Sequence, residues 1–170
     1  MKRSSYLGVA LTMLAVLIPA GPRPALAVSK PLMAHLTGAQ VVPEVQTRAT
    51  GQARFTPNAD GTQLEFRVNV GNIENVTEVR LNLGAQGQTG EVVAILFGPV
   101  APGGGRSSGP LAKGTIAQAN LIGSLAGRPL ADLLSAMRAG NVYIDVTTGS
   151  GEPDQKPGNM QSGEIRGQVR

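Results

Sequence analysis

The chain has 170 residues, a formal net charge of +4 and no cysteine. The missing cysteines exclude disulfides, thiolate metal sites and a cysteine-linked lipid anchor. Aromatic residues make up only 3% of the sequence and the basic residues form no run, which argues against nucleic-acid binding, because that function needs cations against the phosphates and usually aromatic stacking surfaces.

The first 27 residues have the pattern of a signal peptide. Lys2 and Arg3 give a charged start, residues 7–20 are an apolar run, and Ala25-Leu26-Ala27 forms a cleavage site of the A-x-A type. The apolar run is shorter than the roughly 20 residues that a membrane-spanning helix needs. We therefore expect export, cleavage after Ala27 and no membrane span in the mature chain; the less favoured alternative is an uncleaved anchor.

Cleavage at this position would leave residues 28–170 as one domain with a single buried core. Three of the 15 basic residues, Lys2, Arg3 and Arg23, would leave with the signal peptide, so 12 basic residues would remain against 11 acidic ones. The mature protein is therefore predicted to be nearly neutral.

The first half of the mature chain predicts β-strands joined by short turns. Residues 32–39 form a first candidate strand, and residues 58–61 (Asn-Ala-Asp-Gly) predict a hairpin turn, since Asn, Asp and Gly tolerate the positive φ that such turns need. In the strand after this turn, alternate apolar residues are expected to face the core: Leu64, Phe66, Val68 and Val70.

The middle of the chain continues the same alternation before it reaches a loop. Apolar and polar residues alternate in the next candidate strand: Val79, Leu81 and Leu83 against Glu78, Arg80 and Asn82. Residues 91–97 predict a short apolar strand, central rather than at an edge. Residues 98–110 are rich in Gly, Pro and Ser and predict a mobile loop. They do not predict a phosphate site, because no Gly-Lys-Ser/Thr follows.

The last third predicts one helix and two strands. Leucines and a methionine at helical spacing predict a helix over residues 129–139, and Gly140 is placed to end it. Two strands follow, over residues 140–148 and 163–169. In the first of them we expect one buried and one exposed face: Val142, Ile144 and Val146 against Tyr143, Asp145 and Thr147. About eight strands and one helix predict an all-β Greek-key sandwich or barrel.

Several stretches, taken in order, resemble the CHRD family, the domain first described in chordin and widespread in exported bacterial proteins. They are LTGAQVVPEVQTRATGQARF, TGEVVAILF, GNVYIDVTT and GEIRGQV. The resemblance covers essentially the whole mature chain, residues 28–170. It implies an immunoglobulin-like β-sandwich whose pattern is similar to that of copper/zinc superoxide dismutases, and it implies fold and location more than mechanism.

The chain departs from the family at four polar positions. Many members carry an H-x-H pair and an N-x-H-T motif in the strands that here contain Arg80, Asn82, Asp145 and Thr147. With no imidazole at these positions, a transition-metal centre is not expected. The four residues form a candidate polar site in which Arg80 and Asp145 could pair. The alternative is two unrelated residues that face solvent.

Two other features resemble sites, but their surroundings in the sequence do not support one. His35 is the only histidine, and without partners it is expected to be structural. The loop residues Glu152, Asp154 and Asn159 could suggest calcium, but their spacing does not match an EF-hand, so we expect a solvated loop.

These features together favour an exported, non-catalytic domain without a cofactor, secreted or held in the periplasm or cell envelope. It would be a binding or structural module whose partner is an unknown protein or envelope component, not a nucleic acid. The sequence does not define its oligomeric state. The alternative is a metal-dependent enzyme of the superoxide dismutase type, which the missing histidines disfavour.

Overall fold

The computed structural model of the protein describes residues 30–149 and 162–170. The expected signal peptide and its cleavage site lie outside the described residues. The loop that carries Glu152, Asp154 and Asn159 also lies outside them. In the described part of the chain, no helix has the length and apolar character needed to cross a membrane.

The described residues form eight β-strands, one α-helix and three short 3-10 turns. In chain order, the strands and the helix are β1 Leu32–Thr37, β2 Thr50–Pro57, β3 Gln63–Glu74, β4 Val76–Leu83, β5 Val92–Phe97, β6 Arg106–Ala117, α1 Leu130–Arg138, β7 Val142–Thr148 and β8 Ile165–Gln168. The 3-10 turns are Gly38–Gln40, Gln118–Asn120 and Gly123–Leu125. The expected all-β fold with about eight strands and one helix is confirmed.

All eight strands belong to one antiparallel sheet in the order β5-β4-β7-β8-β1-β2-β3-β6. The sheet curls until its two edge strands, β5 and β6, contact each other, so the fold is nearly a barrel. The short strand β8 pairs with β7 on one side and β1 on the other. It therefore joins two halves of the sheet, β5-β4-β7 and β1-β2-β3-β6.

The inner faces of both halves share one hydrophobic core. Buried apolar residues recur at every second position in β1 and over residues 64–70 of β3, as a half-buried strand requires. In β4 the same spacing separates Val79 from Leu81. The buried apolar residues form a single cluster with four residues on one side of α1. The residues expected to face inward from β3 are all buried, which confirms that prediction: Leu64, Phe66, Val68 and Val70.

The predicted hairpin and helix are present. The β2–β3 turn is closed by a hydrogen bond from Asn58 N to the Gln63 carbonyl, and Gly61 has φ +72°. Helix α1 begins one residue after Pro129 and ends before Gly140, which has φ +71°. Both glycines adopt the left-handed conformation that a residue without a Cβ reaches at little cost.

Two strand predictions were wrong in detail. β5 is an edge strand rather than a central one. Of its apolar residues, Val93 and Ala94 are buried, whereas Ile95 is 43% exposed. β6 curls toward β5, and Ile122 N donates to the Val93 carbonyl, so an apolar sequence does not require a strand on each side. β6 begins at Arg106, so the loop before it is shorter than residues 98–110.

β7 differs from its expected pattern, because it is buried on both faces. Tyr143, Asp145 and Thr147 were expected to be exposed, yet each is at most 6% exposed. Polar side chains from the neighbouring strands β4 and β8 lie over them. Alternation in β7 therefore separates an apolar face from a buried polar face.

Candidate functional site

The pairing of β4 with β7 brings the predicted polar residues to one place. Arg80 lies opposite Asp145, and Asn82 lies opposite Tyr143. Because alternate residues of a strand share a face, the side chains of Arg80, Asn82 and Asp145 all point away from the apolar core.

Three hydrogen bonds join these side chains into what we call the Asp145 cluster, formed by Arg80, Asn82 and Asp145. Arg80 donates from Nε to Asp145 Oδ1 at 3.2 Å and from Nη2 to Oδ2 at 2.9 Å. Asn82 Nδ2 donates to Oδ1 at 3.1 Å. The two contacts from Arg80 form the forked arrangement in which a guanidinium matches a carboxylate. The pairing expected for Arg80 and Asp145 is present.

The charges of the Asp145 cluster balance within a partly buried setting. The side chain of Arg80 is 21% exposed and that of Asp145 is 8% exposed, and Glu78 lies 3.7 Å from Arg80. Burial by itself would lower the pKa of Arg80, but the hydrogen bond and charge of Asp145, together with the charge of Glu78, raise it above its ordinary value. Arg80 is therefore a fixed cation at this position.

Thr147, the fourth predicted residue, lies on the same face but belongs to a separate contact. Its Oγ1 is 3.0 Å from Oγ1 of Thr77 and donates to the Glu78 carbonyl at 3.3 Å. These bonds satisfy the hydroxyl within the β4–β7 ladder. The structure thus brings three of the four predicted residues together and leaves Thr147 as a neighbour.

Arg166 of β8 extends the polar face on the other side of β7. It lies opposite Asp145 in the β7–β8 ladder, and its guanidinium carbon lies 3.4 Å from the centre of the Tyr143 ring, close enough for a cation–π contact. Burial lowers the pKa of Arg166 below its ordinary value. Arg166 and Tyr143 thereby cover the Asp145 cluster.

Gln168, two residues further along β8, closes the end of the same face. Its Nε2 donates to the carbonyl oxygens of Gly84, Gly140 and Val142 at 3.0, 2.7 and 2.9 Å. Its Oε1 is buried and has no hydrogen-bond partner among the described residues. One amide therefore holds together the chain after β4 and the start of β7.

A second buried carboxylate lies at the opposite end of β7. Glu164 Oε1 accepts a hydrogen bond from Thr47 at 2.7 Å, and Oε2 accepts one from Thr148 at 2.8 Å. The residue is 1% exposed. Glu164 ties the segment before β2 to β7, which is a structural role that the sequence pattern did not indicate.

The donors of the Asp145 cluster do not fit a transition metal. Arg80 brings a permanent positive charge, Asn82 directs its amide nitrogen rather than its oxygen inward, and both oxygens of Asp145 already accept hydrogen bonds. Within residues 30–149 and 162–170, no three His, Cys, Asp or Glu side chains lie close enough to share a metal ion. His35 is exposed on β1.

Arg166 and Gln168 were missed as members of the polar face. The sequence did contain a signal for them, since Arg166 and Gln168 alternate along the strand with the buried apolar residues Ile165 and Val169. Their contribution could not be recognised without knowing that β8 pairs with β7, since that pairing places Arg166 opposite Asp145.

One of three comparisons with known proteins gives a match. The family model described as CHRD domain matches residues 32–169, which is most of the chain. A comparison with curated proteins gave no match, and a comparison with solved structures gave none either.

Proposed function

Because the chain belongs to the CHRD domain family, we propose that it is an exported, non-catalytic domain that binds or organises a component of the extracellular space or cell envelope. The observation that carries this proposal is the closed Asp145 cluster. At the positions where many family members carry histidines, this chain has side chains that satisfy one another.

A closed cluster supports a structural role at these positions. A general base or a nucleophile must reach a substrate with a free lone pair, whereas the Asp145 carboxylate accepts three hydrogen bonds from within the fold. The guanidinium of Arg80 cannot be deprotonated under ordinary conditions. These properties also disfavour an enzyme of the superoxide dismutase type.

Export is supported by the sequence of the first 27 residues. The charged start, the apolar run and the A-x-A site form the tripartite pattern of a cleaved signal. The mature domain would then act through its loops and through the exposed face of its sheet, where binding residues are commonly held on a rigid scaffold.

Export is tested by expressing the full chain in a secreting host and sequencing the N-terminus of the exported protein. We expect it to begin at Val28. Recovery of the full-length chain from the cytoplasm alone would contradict the proposal. Retention of a component from an envelope extract on the immobilised mature protein is the matching test of binding.

The absence of a bound metal is a separate prediction, tested by elemental analysis. Purified protein is expected to lose copper and zinc on dialysis, because Arg80, Asn82, Asp145 and Thr147 stand where imidazoles would be needed. About one copper or zinc ion per chain after dialysis would overturn the non-catalytic assignment and revive the metalloenzyme alternative.

A further inference from the structure

Three basic residues lie side by side on the outer face of the sheet, away from the Asp145 cluster. In the β2–β3 ladder Arg54 lies opposite Arg67, and in the β3–β6 ladder Arg67 lies opposite Lys113. All three are exposed. We call them the basic row. Since neighbouring strands are about 4.8 Å apart, the row places three positive charges in a line across three strands.

This arrangement works against the stability of the sheet. Like charges directly opposite each other in neighbouring strands repel, and none of the three forms an ion pair with a carboxylate of the described residues. Glu65 lies on the same face of β3, but it is opposite Thr56 and Thr115 rather than a basic residue. No ion pair within the described residues therefore offsets the repulsion in the basic row.

Two depressions lie beside the basic row, and the side-chain amides of Gln52 and Asn69 are part of their lining. One depression of about 400 Å³ is lined by Arg67, Asn69 and Lys113 among others. A second, of about 380 Å³, is lined by His35, Gln52 and Asn69 among others. Asn69 lines both depressions, and we call the surface that they share with β1, β2, β3 and β6 the groove.

The side chains of the groove suit hydroxyl groups as well as anions. Gln52 lies opposite both His35 and Asn69, and the amides of Gln52 and Asn69 are exposed next to the basic row. Each amide offers two donors and one acceptor oxygen. The residues named here include no aromatic side chain that could stack on a nucleobase, which disfavours a single-stranded nucleic acid.

We infer that this groove binds an acidic glycan, a linear sugar polymer that carries a carboxylate on successive units. The carboxylates would lie on the basic row, where arginine can present its forked donors, and the sugar hydroxyls would reach Gln52 and Asn69. The inference deepens the proposed function, on which it rests, by naming the chemical class of the envelope partner.

The test measures binding of fluorescently labelled oligogalacturonate to the mature protein by anisotropy at several salt concentrations. We expect binding that weakens as salt rises, because cations that contact a polyanion displace its counterions. The variant Arg54→Gln/Arg67→Gln/Lys113→Gln should bind at least about tenfold more weakly and show a flatter salt dependence.

A matched control removes three positive charges elsewhere. Arg48, Arg106 and Arg138 are exposed but lie outside the basic row, so Arg48→Gln/Arg106→Gln/Arg138→Gln should keep the affinity within about twofold. A thermal melt separates binding from folding. The basic-row variant should melt at the same temperature as the wild type or higher, since it loses a like-charge repulsion.

Several results would overturn the inference. They are no binding by the wild type at low salt, equal losses in the two triple variants, and binding of single-stranded DNA as tight as that of oligogalacturonate. Failure of this inference is distinct from failure of the proposed function. If the protein retains an envelope component but does not bind oligogalacturonate, the proposed function is supported and only the inference of an acidic glycan is wrong.

Discussion

Arg80 and Arg128 each hold an aspartate, but in different surroundings. The Arg80–Asp145 pair is partly buried, and Asp145 also accepts a hydrogen bond from Asn82. The Arg128–Asp132 pair joins positions i and i+4 near the start of α1, with side chains that are 60% and 35% exposed. Water screens the second pair far more than the first, so the two pairs form a matched comparison within one protein.

A double-mutant cycle on Arg80 and Asp145 should reveal strong coupling. Asp145→Ala leaves the guanidinium of Arg80 and the amide of Asn82 without their acceptor, so we expect a loss of about 1–3 kcal/mol in the free energy of unfolding. Arg80→Ala should cost a similar amount, and the double variant should cost clearly less than the sum. Urea denaturation of the four proteins measures these differences.

The same cycle on Arg128 and Asp132 is the control. Each single variant there should change stability by no more than about 0.5 kcal/mol, as is usual for exposed i, i+4 pairs. If the Arg80–Asp145 cycle gives equally small and additive losses, the Asp145 cluster does not stabilise the fold and its structural interpretation is wrong.

The hydrogen-bond donors of the buried Gln168 amide can be tested through the pH dependence of stability in Gln168→Glu. The carboxylate in Gln168→Glu would face three carbonyl oxygens, so its pKa in the folded state should lie above the unfolded value of about 4.3. The folded variant then binds more protons than the unfolded one. The loss in the free energy of unfolding caused by Gln168→Glu should therefore be small below about pH 4. It should grow as pH rises, to about 2 kcal/mol or more at pH 7.

Urea midpoints at pH 4 and pH 7, each compared with the wild type at the same pH, measure this penalty. Gln63→Glu is the control, because Gln63 is exposed at the start of β3 and its substitution should have little effect at either pH. If Gln168→Glu lowers the free energy of unfolding equally at both pH values, the N–H donors of Gln168 do not account for its contribution to stability.

At the scale of the elements, β8 depends on a glycine at its centre. A Cβ on Gly167 would lie 2.5 Å from the carbonyl oxygen of His35 in β1, which is backbone and cannot rotate away. On either side, Thr37 pairs with Arg166, and Met33 and Arg170 exchange two backbone hydrogen bonds. Only a residue without a Cβ lets β8 lie this close to β1.

Gly167→Ala should therefore separate β8 from β1. We expect a loss of about 2 kcal/mol or more, in the range of overpacked sites, together with faster hydrogen exchange at Met33 and Arg170. Gly104→Ala is the matched control, since a Cβ there meets nothing within 4 Å and should be neutral or slightly stabilising. Unchanged exchange in Gly167→Ala would show that β8 tolerates the added methyl group.

The sequence predicts where individual strands and helices lie more readily than it predicts which elements pack against each other. The hairpin turn at residues 58–61 and α1 rest on local signals, and both are found. The edge position of β5 and the burial of Tyr143 could not be predicted, because each depends on strands that are distant in sequence. For the same reason the Asp145 cluster required a family resemblance to be suspected, since Arg80 and Asp145 are 65 residues apart.

At the scale of the whole molecule, the two halves of the sheet share one core, so they should unfold together. The mature chain would contain a single tyrosine, Tyr143, and no tryptophan, which makes tyrosine emission a probe of β7 and β8. Far-ultraviolet circular dichroism reports on the entire sheet. The two signals should give the same denaturation midpoint, as two-state unfolding requires. An earlier transition in Tyr143 emission would show that the halves are separate folding units.

The place of β8 in the sheet also affects how the protein is made. β8 is the last of the eight strands to be synthesised, yet it lies between β7 and β1. Before it leaves the ribosome, the chain can form only two separate sheets, which together expose four strand edges instead of two. Unpaired edges invite aggregation. Completion of the sheet therefore waits for β8, and a chain truncated before residue 165 would be prone to associate with its neighbours.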